Sequence, residues 1–276
     1  MIGCVTVCCV STLTVAADSD ATCSLTLELV DSDSGDTLPG LVQLRDGDGK
    51  LMRLPELLDR GLGLPAKAAI HDWSVLSEAT VVTVPQGKLS LRGFSGLETE
   101  IAEVELDLTG RRAARHRLKL TRFYPARKQG WQAANTHVHL KKTSKQQTER
   151  YLIECSKADG LDVVYVSYLE RPSEHVHYST NNYTREQLKA LSNHHTHFDH
   201  GEEHRHNFTA SAEGYGHVML LNIPELIKPV SIGPGITDEG TDWIPLRAGI
   251  EKARSFAGRI IWCHNTFGLE DIPNWL

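Results

Sequence analysis

Cysteine is scarce in this chain and unevenly placed. Cys4, Cys8 and Cys9 crowd the N-terminus, which leaves Cys23, Cys155 and Cys263, an odd number at wide spacing. These do not form a disulfide framework, and none has a nucleophile context, so they read as small buried hydrophobes. Basic residues are also short, with 29 Lys and Arg against 35 Asp and Glu, for a net charge of −6. That balance excludes a general nucleic-acid binder, which presents a basic face. The apolar segment 1–17 (MIGCVTVCCVSTLTVAA) is too short to span a bilayer. There is no Ser-His-Asp arrangement, no phosphate-cradling glycine loop and no dinucleotide fingerprint. Internal repeats and low-complexity linkers are absent as well.

Histidine is plentiful. The chain has 14, and His175, His177, His194, His195, His197, His200, His204 and His206 lie close together. At 276 residues, 40% hydrophobic and 23% charged, the chain has the make-up of a soluble globular protein of one large or two ordinary domains. Residues 1–17 end in Val15-Ala16-Ala17, small residues at the −3 and −1 positions of a signal-peptidase site. This makes 1–17 a signal peptide and places the protein outside the cell, in the periplasm or at the cell envelope. A buried N-terminal strand is the other reading, since a basic n-region is missing.

Residues 24–122 carry the period of strands with one buried face. Leu25, Leu27 and Leu29 alternate, as do Val104, Leu106 and Leu108, then Leu118 and Leu120. Turn residues separate these runs. Asp46-Gly47-Asp48-Gly49 opens like a calcium loop but has Leu57 where a bidentate Glu belongs, so it reads as a turn. The expectation is a β-sandwich over 18–125. Near residue 130 the pattern changes. Ser144 with Gln147, and Thr184 with Gln187, are capping boxes that open helices. Val163 to Val166 and His217 to Ile223 are apolar runs expected of strands buried on both faces. Leu246, Ile250 and Ala253 mark a third helix before the strand Arg259 to Cys263. Alternating β and α elements predict a parallel sheet or barrel over 130–276.

Candidate metal ligands stand where these strands end. His137 and His139 are two apart on an extended segment, so both side chains point to one face and converge on one ion. Gly201-Glu202-Glu203-His204-Arg205-His206, then His217, then His264 follow at further strand ends. Imidazole with carboxylate suits zinc, iron or manganese alike. Singly, His217 or His264 also reads as a hydrogen-bonded core histidine, and Glu202 or Glu203 as a solvated carboxylate. His194, His195 and His197 read as a histidine-rich surface loop, and His175 and His177 as loop residues.

Together these segments resemble the PHP superfamily of metal-dependent hydrolases, and more narrowly the CehA/McbA-type secreted metallohydrolases. The resemblance rests on Gly130-Trp131, His137-Val138-His139-Leu140, Gly160-Leu161-Asp162-Val163-Val164, Gly201-Glu202-Glu203, Gly216-His217-Val218 and Cys263-His264-Asn265. It covers residues 130–276. The front half is similar to the carboxypeptidase-regulatory or transthyretin-like sandwiches. The implied fold is an incomplete PHP-like (distorted TIM-type) α/β barrel preceded by an N-terminal β-sandwich. The implied ligands are His137, His139, Glu203, His217 and His264, with Glu203 bridging two metals, for one to three divalent ions (Zn, Mn or Fe). Asn135 stands where such families often carry Asp and would orient a ligand. Three departures bear on this, the first being that no Asp follows closely after His139. Ser167-Tyr168-Leu169-Glu170 replaces a Thr-Asp-His, with Glu170 as the substitute ligand, and the late Asp-x-His motif is missing.

The function expected from the resemblance is metal-dependent hydrolysis of a phosphoester, or of a carboxylic ester or carbamate, in a small-molecule substrate by metal-bound hydroxide. His204 and His206 are candidates for substrate contact or proton transfer, or else solvated loop residues. No nucleic-acid partner is expected, and no membrane association once the signal is cleaved. A second reading is a non-catalytic, histidine-rich metal-binding or envelope protein. A third is an inactive, truncated piece of the hydrolase.

Overall fold

The computed structural model describes residues 21–170, 177–207, 214–228 and 245–263. The signal-like segment 1–17, His175 and His264 lie outside these, as does the side chain of His206.

Residues 22–120 form two sheets around one apolar core. In the first, β1 (Thr22–Asp31) pairs antiparallel with β2 (Thr37–Leu38) and β6 (Thr80–Pro85), and parallel with β9 (Ala113–Leu120). The second runs in the order β4 (Leu58–Asp59), β5 (Ser74–Leu76), β3 (Gly40–Asp46), β7 (Lys88–Phe94), β8 (Ala102–Asp107). The period of two puts Leu25, Leu27 and Leu29 of β1 inward, where they meet Leu44, Leu89 and Leu91 of the facing sheet. Each such leucine contributes about 1.5–3 kcal/mol on burial. Glu28 points the other way. It accepts the Thr37 hydroxyl at 2.6 Å and pairs with Arg115 at 2.8 Å, which ties β1 to β2 and β9. Asp46 acts as a turn residue: its Oδ1 accepts the backbone N–H groups of Asp48 and Lys50.

From residue 134 onward the described chain builds a five-stranded sheet in sequence order. The strands are β10 (Ala134–Val138), β11 (Val163–Tyr168), β12 (His197–Asn207), β13 (Gly214–Leu221) and β14 (Arg259–Trp262). The helix α1 (Lys145–Ala158) connects β10 to β11, and α2 (Arg185–Leu191) connects β11 to β12. Both open on complete capping boxes, Ser144 with Gln147 and Thr184 with Gln187. These crossovers make β10, β11 and β12 parallel. The chain then reverses. β13 runs antiparallel to β12, and β14 antiparallel to β13, with α3 (Pro245–Ser255) between them.

The PHP-like α/β barrel expected over 130–276 is therefore not what the chain forms. The sheet is open and mixed, and the described residues hold three α-helices rather than a ring of them. All three helices lie on one face. Leu152 and Leu188 cover Val164, Val166 and Phe198, while Leu246 and Ala253 cover Val218 and Leu220. On the opposite face Met219, Leu221 and Cys263 pack with Tyr165. The run from His217 to Ile223 is thus buried on both sides, as a barrel strand would be. Burial on both sides carries no information about strand direction, and that is why periodicity suggested a parallel barrel.

Candidate metal centre

The helix-free face of this sheet carries the one group of His, Cys, Asp and Glu found among the described residues that could hold a metal ion: His137, His139 and Glu203. Their ligand atoms all lie within 4.8 Å of one another. Each arrives by a local device. In β10, Asn135 stands opposite Val164 and Val138 opposite Val166, so β10 carries one extra residue between them. Asn135 Oδ1 accepts the backbone N–H of His137 at 3.0 Å and holds this irregularity. Val138 then packs with the helix-side core, while His137 and His139 both reach Glu203. Glu203 comes from β12, two strands away, and its backbone lies opposite Met219 of β13. The group sits at the carboxyl ends of β10 and β11, where open α/β sheets place their ligands.

The contacts are short. Glu203 Oε2 lies 3.0 Å from His137 Nε2 and 2.7 Å from His139 Nε2. His217 Nε2 approaches the other oxygen, Oε1, at 3.6 Å. The Glu203 side chain is 2% exposed and that of His137 is 23%, so the centre is closed behind the carboxylate and open beside His137. Burial alone would raise the Glu203 carboxyl. The hydrogen bonds to His137 and His139, and then the positive charge that His139 and His217 carry when protonated, outweigh it and hold Glu203 well below the usual carboxylate range.

His139 has a further constraint. Its Nδ1 lies 2.9 Å from the Ser167 carbonyl oxygen. A carbonyl only accepts, so Nδ1 carries the proton. In the neutral ring Nε2 is then a bare lone pair, 2.7 Å from a carboxylate oxygen that also only accepts. Two acceptors at that distance require a positive charge between them, either a second ring proton or a cation. A backbone carbonyl that fixes a histidine tautomer is the usual support of a metal-ligating imidazole. Two imidazole nitrogens and a carboxylate oxygen fit a borderline divalent ion.

The structure treats the other sequence candidates differently. His217 is brought to the group through Glu203. His204 is not. It follows Glu203 directly, so in a strand it faces the opposite side. It is 1% exposed there, with Nε2 2.6 Å from Glu202 Oε1. Its Nδ1 abuts Gly249 of α3 so closely that a Cβ on Gly249 would stand 2.6 Å away. Glu202 also accepts the backbone N–H of Ile227 at 2.7 Å, so it is a core anchor. Glu170 is engaged by the Tyr168 hydroxyl. His177, His194, His195 and His197 are exposed. Two participants have no mark in the sequence. The Ser167 carbonyl is backbone, and Tyr178, whose ring centre is 5.4 Å from that of His139, lies far along the chain.

A comparison with protein-family models finds no match, and neither does a comparison with curated proteins. Among solved structures, the C-terminal domain of the shaft pilin SpaA from Lactobacillus rhamnosus GG is similar at 12% identity, over 37% of this chain and 98% of that one. The TM-score of that superposition is 0.18, which is too low to carry an argument about fold or function.

Proposed function

We propose that this chain is a metal-dependent hydrolase acting on an ester-type bond, a phosphoester or a carboxylic ester or carbamate, in a small molecule. His137, His139 and Glu203 would hold a divalent transition ion, and His217 stands beside them as a further ligand. The observation that carries this reading is the contact of His139 Nε2 with Glu203 Oε2 at 2.7 Å while Nδ1 is committed to Ser167. A divalent ion in such a centre supplies a Lewis acid for the ester or phosphoryl oxygen and lowers the pKa of a coordinated water to about 7. The chain's own contribution is positional. Ser167 keeps the His139 lone pair aimed at the centre, Asn135 keeps His137 turned to the same face, and buried Glu203 keeps the negative charge fixed. The side open at His137 admits a small molecule. No helix among the described residues is long and apolar enough to cross a membrane, and the N-terminal segment supports export.

A non-catalytic histidine-rich metal binder is the competing reading, favoured by the exposed His194 and His195, whose ring centres lie 3.8 Å apart. Elemental analysis of the purified full chain separates the two. The hydrolase reading predicts stoichiometric transition metal that survives replacing His194, His195 and His197 with Ala, disappears in His137→Ala and His139→Ala, and supports hydrolysis of p-nitrophenyl phosphate or acetate. Metal that follows the exposed histidines instead, or metal-loaded protein inert toward both esters and phosphoesters, defeats the reading.

A further inference from the structure

The front β-domain and the second sheet meet across a built interface. Cys155 and Ala158 of α1 pack on Leu41, Leu58 and Val75 of the front half. Arg60 pairs with Asp159 at 2.6 Å and also bonds the Tyr151 hydroxyl. The Gly96 N–H donates to the Ala158 carbonyl at 2.9 Å. Cys155 is 3% exposed there, and burial pushes its thiol up to about 12 against the pull of Arg60. Domains that move against each other meet through largely polar contacts, whereas an apolar seam of Leu41, Leu58, Val75, Cys155 and Ala158 lies beside the ion pair here.

Beside this interface, the loop that leaves β4 runs to the segment just after His139. Gly63 sits there with φ +83°, and a Cβ on it would stand 2.5 Å from the Lys141 carbonyl oxygen. That segment is bound in turn to the neighbourhood of Tyr178. Lys141 forms a β-bridge with Tyr178, the Ser179 N–H donates to the Leu140 carbonyl at 2.7 Å, and the Thr143 hydroxyl donates to that of Ser179 at 2.8 Å. The Tyr178 ring lies against His139. His139 is therefore held on one side by Ser167 and on the other by a segment on which the front domain rests.

We infer that the front β-domain is a fixed buttress of the metal centre, with Gly63 the positioning contact through which it holds residues 140–143 and so His139. The inference rests on the metal reading above. It is tested in the full chain by Gly63→Ala, with Gly49→Ala as control. Gly49 has φ +78° and nothing within 4 Å of an added Cβ, so both variants carry similar backbone strain and only Gly63→Ala presses on Lys141. Each protein is loaded with Co²⁺, and its visible spectrum and its affinity in chelator competition are recorded. The buttress predicts that Gly63→Ala binds about tenfold or more weakly with an altered spectrum, the size of effect seen when a ligand's support is disturbed. Gly49→Ala should match the parent. A folded Gly63→Ala with the parent's spectrum and affinity overturns the inference. Should Gly63→Ala fail to fold, Arg60→Met loosens the adjoining seat of the front domain on α1, at Asp159 and Tyr151, without backbone strain. It is expected to weaken Co²⁺ binding, and unchanged binding overturns the inference equally. A parent protein that takes up no Co²⁺ overturns the metal reading itself, and the buttress with it.

Discussion

At the scale of single residues the centre turns on the contact of His139 Nε2 with Glu203 Oε2, which in the neutral ring sets two acceptors against each other. Glu203→Gln resolves that conflict, because the amide donates to a lone pair where the carboxylate cannot. In the presence of chelator, Glu203→Gln should therefore melt at or above the temperature of the parent. With Zn²⁺ added the order should reverse, since ligand binding at a hundredfold excess over Kd stabilises by about 2.7 kcal/mol and only the parent has the site. Differential scanning fluorimetry with and without chelator reads both. A Glu203→Gln that is less stable in chelator would mean the ring is doubly protonated, and that the contact is an ion pair rather than a metal-ligand set. Alternation within β12 was available from the sequence here. Glu203 and His204 are neighbours in a strand and must face opposite sides. That alternation separates the two side chains, and the structure places His204 against Gly249.

At the scale of elements, α2 is tied down by more than its capping box. Arg185, its first residue, pairs with buried Asp199 of β12 at 2.7 and 2.9 Å and reaches Asn222 at 2.7 Å. Burial would raise the Asp199 carboxyl, but Arg185 and the His200 backbone N–H hold it below its ordinary 3.8. A depressed folded pKa gives stability that is present in full above 3.8 and is lost as pH falls through the lower folded value. Arg185→Met leaves a buried carboxylate unpaired, at a cost of about 3–5 kcal/mol near neutral pH. Urea unfolding at pH 7 and pH 3 should show that penalty shrinking in acid; an equal penalty at both would assign it to packing. The cap of α1 is smaller in effect. Ser144→Ala should cost about 1 kcal/mol in the same assay. Elements of this kind were legible because their signals are local. Ser144 and Gln147, Thr184 and Gln187, and the alternation of Leu25, Leu27 and Leu29 each specify their own geometry within a few residues. The extra residue in β10 was not legible, because an irregularity leaves no periodic trace and shows only against Val164 and Val166 of the next strand.

At the scale of the whole molecule, the five-stranded sheet offers helices on one face and the His137, His139 and Glu203 group on the other. Strand order follows the sequence, but the reversal at β13 breaks the parallel run. Hydrophobic runs reported which strands are buried; pairing direction is set by the connection and the partner strand, which they do not record. The interface with the front half was hidden for a related reason. Arg60 and Asp159 are far apart in sequence, and each alone reads as a surface charge. The account predicts that Arg60→Met destabilises the full chain by less than the roughly 3–5 kcal/mol of a fully buried pair, because the Arg60 and Asp159 side chains are 21% and 22% exposed. A front domain and second sheet that melt in separate transitions in the parent would argue against the docking.

The central claim is that His137, His139 and Glu203 bind a metal. An anomalous difference map, collected at the absorption edge of the ion found in crystals of the purified full chain, tests it most directly. The account predicts a peak about 2.0–2.2 Å from His137 Nε2, His139 Nε2 and a Glu203 carboxylate oxygen. No peak there in metal-replete crystals, or a peak at His194 and His195 instead, would contradict it.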